Sequence, residues 1–201
     1  MYRRIALRLF LWISAYAIAG CSSGQKEDVE SAGEHSARVT EAGAEQGAVM
    51  RNALLSRRML ASLPPSESGA FRGAVMDWNV GTGLATLVAI DDGTVSMYLV
   101  PGGGTIGAGS HPNVAPAAVA FREQAAMARS AFSLVEAYPA PGRDSVVFYL
   151  LTDSATLATD PIGIDVLQDA EHPLAGLNSA AQALIAEIHR AESASMNPKS
   201  H

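Results

Sequence analysis

The side chains best suited to chemistry lie in one stretch, Pro101-Gly102-Gly103-Gly104-Thr105-Ile106-Gly107-Ala108-Gly109-Ser110-His111-Pro112-Asn113. Ser110 stands beside His111. A serine becomes a nucleophile when a histidine takes its proton and a carboxylate orients that histidine. Adjacency along the chain is not that geometry, and no G-x-S-x-G elbow presents a serine on a strand-to-helix turn. Gly102, Gly104 and Gly107 form a G-x-G-x-x-G, which cradles a pyrophosphate when a helix opens within the motif. Here His111-Pro112 and Pro116 delay the helix and no repeating βαβ units follow, so the spacing does not argue for a nucleotide. Two accounts stand. The stretch is a close-packed crossover in which glycines permit positive φ, or it is a loop that binds a ligand or partner from a rigid scaffold. The candidate binding residues are Gly103, Gly104, Thr105, Gly107, Ser110 and His111.

The remaining histidines, His35, His172, His189 and His201, do not stand at the i, i+4 or H-x-E spacing of helical zinc sites. Asp153, Asp160 and Asp165 lack the spacing and glycine of a calcium loop. No metal and no cofactor is expected. Asp91-Asp92-Gly93 reads as a tight hairpin turn. Glu171-His172-Pro173 reads as the start of a helix, with proline near its first turn. Asp77 and Trp78 fall on opposite faces of one strand and are not paired.

The single cysteine, Cys21, rules out an intramolecular disulfide and has a different use. Met1-Tyr2-Arg3-Arg4 and Arg8 give a basic start, and an apolar run follows from Leu9 to Ala19. A bilayer-spanning helix needs about 20 apolar residues, so this run reads instead as a secretory signal. It closes in Ile18-Ala19-Gly20-Cys21, which resembles a bacterial lipobox. That resemblance implies cleavage after Gly20, diacylglyceryl transfer to the Cys21 thiol and anchoring to a membrane. Each buried methylene contributes about 0.8 kcal/mol, so two or three acyl chains hold firmly where one does not. Ser22 stands where an aspartate keeps enteric-type lipoproteins in the inner membrane. The resemblance therefore implies the periplasmic face of the outer membrane.

The chain carries 14 Lys+Arg and 20 Asp+Glu. Removing residues 1–20 takes Arg3, Arg4 and Arg8, leaving 11 basic against 20 acidic residues, a net charge of −9. Such a protein is a poor partner for nucleic acid, whose phosphates demand basic patches. It also lacks polybasic support for membrane binding, so lipid must supply the anchor. Residues 22–44 are polar and charged, cannot bury enough surface to offset ordering entropy, and are expected to be a disordered tether. The expected organisation is a signal over 1–20, lipidated cysteine and tether over 21–44, one α+β domain over 45–192 and a frayed tail over 193–201.

The elements follow from periodicity. A helix is expected from Glu45 to Leu63, with Val49, Leu55, Met59 and Leu63 as its apolar positions, ended by Pro64-Pro65. Strands follow at Ala74–Val80, Leu84–Ile90 and Thr94–Val100, the last alternating Val95, Met97 and Leu99 against Ser96 and Tyr98. A helix is expected over Ala115–Ala137, with Phe121, Ala125, Ala128, Phe132 and Val135 as its stripe. Strands at Val146–Leu151 and Ala155–Thr159 and a helix from Leu174 to Glu192 complete an antiparallel sheet of about five strands packed by three helices. Over residues 45–192 this order resembles roadblock/longin and profilin-like domains, which implies an antiparallel sheet between helices and, for the roadblock type, self-association. The Gly-rich loop and the Phe148-Tyr149-Leu150-Leu151-Thr152-Asp153 strand also resemble uncharacterised bacterial proteins.

The expectation is a lipid-anchored envelope protein, with palmitate among its acyl chains, that binds an envelope partner or small ligand without catalysis. The alternatives are an envelope hydrolase using His111 with a carboxylate such as Asp153, or a dimerising scaffold.

Overall fold

Residues 71–79 run Phe-Arg-Gly-Ala-Val-Met-Asp-Trp-Asn, with apolar groups on both sides of the alternation, so both faces of this strand must be covered. The computed structural model describes residues 45–63, 71–81, 83–100 and 102–196. In it this segment is β1 (Phe71–Asn79), buried from Arg72 to Trp78. It pairs antiparallel with β2 (Leu84–Ile90) on one side and β6 (Ser145–Thr152) on the other. Next along the chain from β2 is β3 (Val95–Val100), reached through the Asp91-Asp92-Gly93 turn. Gly93 takes φ 89°, as a tight hairpin requires.

The class is α+β, and the sheet has eight strands rather than about five. The additions are β4 (Gly104–Ile106), β5 (Ser133–Leu134) and β8 (Ile162–Gly163), each two or three residues long. With β7 (Thr156–Ala158), the sheet order is β4-β3-β2-β1-β6-β7-β5, and β8 pairs with β6. Such short strands show no periodicity; pairing with a neighbour creates them.

Helices cover both faces. Residues 45–55 form α1, which gives way to a turn and a 3₁₀ segment, Leu60–Ser62. Leu54, Leu55 and Leu60 pack with Val75, Val88, Tyr98, Val147 and Tyr149 on one face of the sheet. Burying each leucine contributes about 1.5–3 kcal/mol. The expected stripe is therefore corrected: Val49 is 60 % exposed and Met59 37 %, while Arg51 is buried.

The opposite face carries Met76, Trp78, Leu87 and Phe148, alternating with the first set. There α2 (Val114–Met127) lies over β1, β2 and β3, burying Ala118, Phe121 and Ala125, and α3 (Ala175–Met196) packs beside it. α2 is shorter than expected. At Ala128 the backbone leaves helical geometry (ψ 13°), a 3₁₀ turn follows, and the Phe132 carbonyl accepts from Arg129 Nη1 at 3.2 Å. Phe132 and Val135 thus continue the apolar spacing outside the helix, and Ser133–Leu134 pair with β7. The start of α3 is as expected, since His172 Nδ1 accepts the Leu174 N–H at 3.2 Å. Residues 193–196, expected to fray, are still helical.

No helix among the described residues is long and apolar enough to cross a membrane. The signal, Cys21 and the expected tether lie outside the described residues.

Candidate functional site

The Gly-rich stretch is built rather than open. Gly102 and Gly103 turn the chain, the Gly103 carbonyl accepts the Leu99 N–H at 3.1 Å, and β4 adds to the sheet edge through Ser96↔Ile106, Met97↔Thr105 and Tyr98↔Gly104. Gly104 sits at φ 130°, and a Cβ there would overlap the Met97 carbonyl oxygen. After Gly107 (φ 76°) comes a 3₁₀ turn, Ala108–Ser110, in which a Cβ on Gly109 would overlap the Gly93 carbonyl oxygen of the β2–β3 turn. The close-packed account thus holds at Gly104 and Gly109. Space remains open around Gly103 and Gly107, where an added Cβ would meet nothing within 4 Å.

Of the polar residues in this stretch, Thr105 Oγ1 donates to Glu192 Oε1 near the end of α3, fastening β4 to that helix. The other oxygen of Glu192 lies 3.3 Å from His189 Nδ1. The group places a carboxylate between a hydroxyl and an imidazole. Hydroxyl activation needs the imidazole in the middle, so the arrangement fastens rather than activates. Ser110 Oγ points back to the Gly107 carbonyl at 3.2 Å, away from His111. The His111 carbonyl accepts the N–H groups of Val114 and Ala115 at 3.0 and 3.2 Å, capping α2, while its half-buried ring makes no hydrogen bond among the described residues. Asp153 is engaged by Arg72 Nη1 at 2.9 Å, not by His111. Among the described residues no group of three or more His, Cys, Asp or Glu side chains could hold a metal ion.

The densest polar cluster lies elsewhere, under α1, and sequence reasoning missed it. Arg51 Nε donates to Asp77 Oδ2 at 2.7 Å, and Arg51 Nη2 lies 2.5 Å from the same oxygen. Asp77 is fully buried, and its other oxygen accepts from Thr86 Oγ1 at 2.6 Å. The remaining guanidinium donors reach the Tyr138 and Pro139 carbonyls, Asn52 Oδ1 and Tyr149 Oη. Burial opposes the charge on Arg51, but the Asp77 carboxylate outweighs it and the net direction is upward. Tyr149 is pushed up to about 12, first by burial and then by the Asp77 charge. Tyr138 packs edge-on against Tyr149, ring centroids 6.4 Å apart. The signal for this cluster was Asp77 itself, a charge inside a strand apolar on both faces, which demands a buried cation.

No protein-family model, curated protein or solved structure matches the chain.

Proposed function

We propose that the protein is a lipid-anchored cell-envelope component whose domain binds an envelope protein or small ligand without turning it over. The observation that carries this reading is the basic start and short apolar run closing in Ile18-Ala19-Gly20-Cys21, and the buried Arg51–Asp77 cluster has a structural use that leaves it no free group for catalysis. Both Asp77 oxygens are taken by protein donors and every Arg51 nitrogen has a protein acceptor, so this ion pair holds α1 to the sheet. Supporting it, Thr105 and Glu192 fasten the Gly-rich segment to α3, and Gly103, Ile106, Gly107 and Ser110 are exposed along it beside the half-buried His111. Lipidation of Cys21 would hold this domain near the periplasmic face of the outer membrane.

The test is crosslinking in cells followed by purification of the full chain, comparing wild type with a Gly103→Ala/Gly107→Ala/His111→Ala variant. The proposal expects at least one crosslinked species in wild type that the variant loses while remaining folded. An unchanged crosslinking pattern would remove this segment from the binding surface. A hydrolytic activity lost on His111→Ala alone would replace the binding reading with the enzymatic one.

A further inference from the structure

A second surface feature lies where the C-terminal end of α1 meets the β6–β7 turn. There, Arg57, Leu60, Ala61, Leu63, Arg72 and Asp153 line a cleft of ≈ 320 Å³. That is the low end of the range for small-molecule sites, about 300–1,000 Å³, and suits an occupant the size of an amino acid or dipeptide.

The backbone holds this cleft at a cost. Arg57 sits in the left-handed region, φ 64°, at the helix end where glycine is the usual residue. A side chain kept in such a conformation points to a use for it. Its Nη1 donates to the Asp153 carbonyl oxygen at 2.8 Å, which sets the guanidinium at the cleft wall. An arginine has five donors, and this hydrogen bond is the only one its side chain makes among the described residues. Behind it, Arg72 is almost fully buried and held between two carboxylates, Nε to Asp91 at 3.0 Å and Nη1 to Asp153 Oδ1 at 2.9 Å. Asp153 is 36 % exposed, and its Oδ2 takes no hydrogen bond among the described residues.

The unspent groups decide the ligand class. Among the described lining residues, Arg72 is held by Asp153 and, from outside the lining, by Asp91, which leaves Arg57 and the free oxygen of Asp153 to meet a ligand. These groups have opposite signs, donors on Arg57 and an acceptor on Asp153, beside an apolar wall of Leu60, Ala61 and Leu63. We propose that this cleft binds a zwitterion with an apolar side chain, its carboxylate on Arg57 and its ammonium on Asp153. A free amino acid and a short peptide share that chemistry. The proposal rests on the reading of the domain as a binding module and names a ligand class for it at a site separate from the Gly-rich segment.

The test is isothermal titration of the full chain, purified in detergent, with leucine and with the dipeptide Leu-Leu. Leucinamide, lacking the carboxylate, and N-acetylleucine, lacking the ammonium, are the controls. The expected result is saturable binding of leucine or Leu-Leu, weakened at least tenfold in both controls. Binding of leucine assigns the free amino acid, and binding of Leu-Leu alone assigns the peptide. Arg57→Gly relieves the backbone strain while removing the guanidinium. It should retain the wild-type melting temperature within a few degrees and lose binding at least tenfold. Asp153→Asn should weaken binding similarly. Absence of binding by both zwitterions at 10 mM (about 100 times a 0.1 mM dissociation constant), equal binding of the controls, or wild-type affinity in Arg57→Gly would each overturn the proposal. Crosslinks lost with the Gly-rich segment would survive that failure, so the two readings fail separately.

Discussion

Arg51 and Asp77, 26 residues apart, meet on one carboxylate oxygen: Nε of the guanidinium lies 2.7 Å from Asp77 Oδ2, and both residues are buried. Neither group could stand there alone, because an isolated buried charge costs far more than a fold of this size can spare. The pair fixes which side of α1 faces the sheet, while Leu54, Leu55 and Leu60 provide the apolar contact. This gives the helix its register as well as its adhesion.

Breaking the pair one partner at a time should therefore be worse than removing both. Arg51→Met or Asp77→Leu alone should cost about 3–5 kcal/mol, since each strands the opposite charge. The double variant should be more stable than either single, as urea unfolding midpoints would show. Additive losses would mean that the two side chains act independently.

Tyr149 gives the cluster a pH signature. Its folded-state value of about 12 lies above the ordinary 10.0. Below pH 10 the stabilisation is fully present. Between 10 and about 12 the unfolded chain releases this proton first, so stability falls as pH rises through that window. Unfolding followed from pH 9 to 12 should show the decline, and Tyr149→Phe should make it shallower. The same variant should cost about 1 kcal/mol at neutral pH for the lost hydrogen bond. An unchanged alkaline profile would contradict the assigned role.

The glycines of the 102–113 segment should separate into two kinds. Gly104→Ala and Gly109→Ala push a methyl into the carbonyls of Met97 and Gly93. They should lower the melting temperature sharply, by the several degrees that follow from 1–3 kcal/mol of overpacking in a domain of about 150 residues. Gly107→Ala meets no atom and bears only the strain of φ 76°. Its cost should be about 1 kcal/mol. An effect at Gly109, where φ is not positive, no larger than at Gly107 would mean that close approach to the Gly93 carbonyl does not select glycine there.

Phe121 tests the other face of the sheet. It is fully buried in α2. Phe121→Ala should cost about 3–5 kcal/mol, measured by denaturant unfolding. A cost under about 1 kcal/mol would place the core elsewhere.

The β1–β2–β3 meander was legible because its strands are long enough to show a period and its turn carries Asp-Gly. α3 was legible for the same reason, with Leu177, Ala181, Leu184 and Ile188 all buried. Reading failed where chain geometry changed without a change in apolar spacing, as at Ala128, where Phe132 and Val135 mimic two further turns of helix. It failed again where tertiary pairing alone makes a strand, as in β4, β5 and β8. Over residues 45–63 the spacing suggested Val49 and Met59 as inward positions, because a buried arginine at 51 is intelligible only once Asp77 is known to sit opposite and the helix ends at residue 55. In the candidate segment the sequence marked Gly104 but gave no sign of the Met97 carbonyl that excludes a side chain there, and it did not mark Gly109. The contact between Thr105 and Glu192 spans 87 residues and leaves no local trace.

The measurement closest to the central claim is metabolic labelling with a radioactive or alkyne-tagged palmitate in a bacterium expressing the full chain, followed by envelope fractionation. The account predicts a labelled protein, shortened by the 20 residues before Cys21, in the outer-membrane fraction. It also predicts an unlabelled Cys21→Ala variant that is no longer processed after Gly20. Labelling that persists in Cys21→Ala, or a wild-type protein recovered unlabelled, would contradict it.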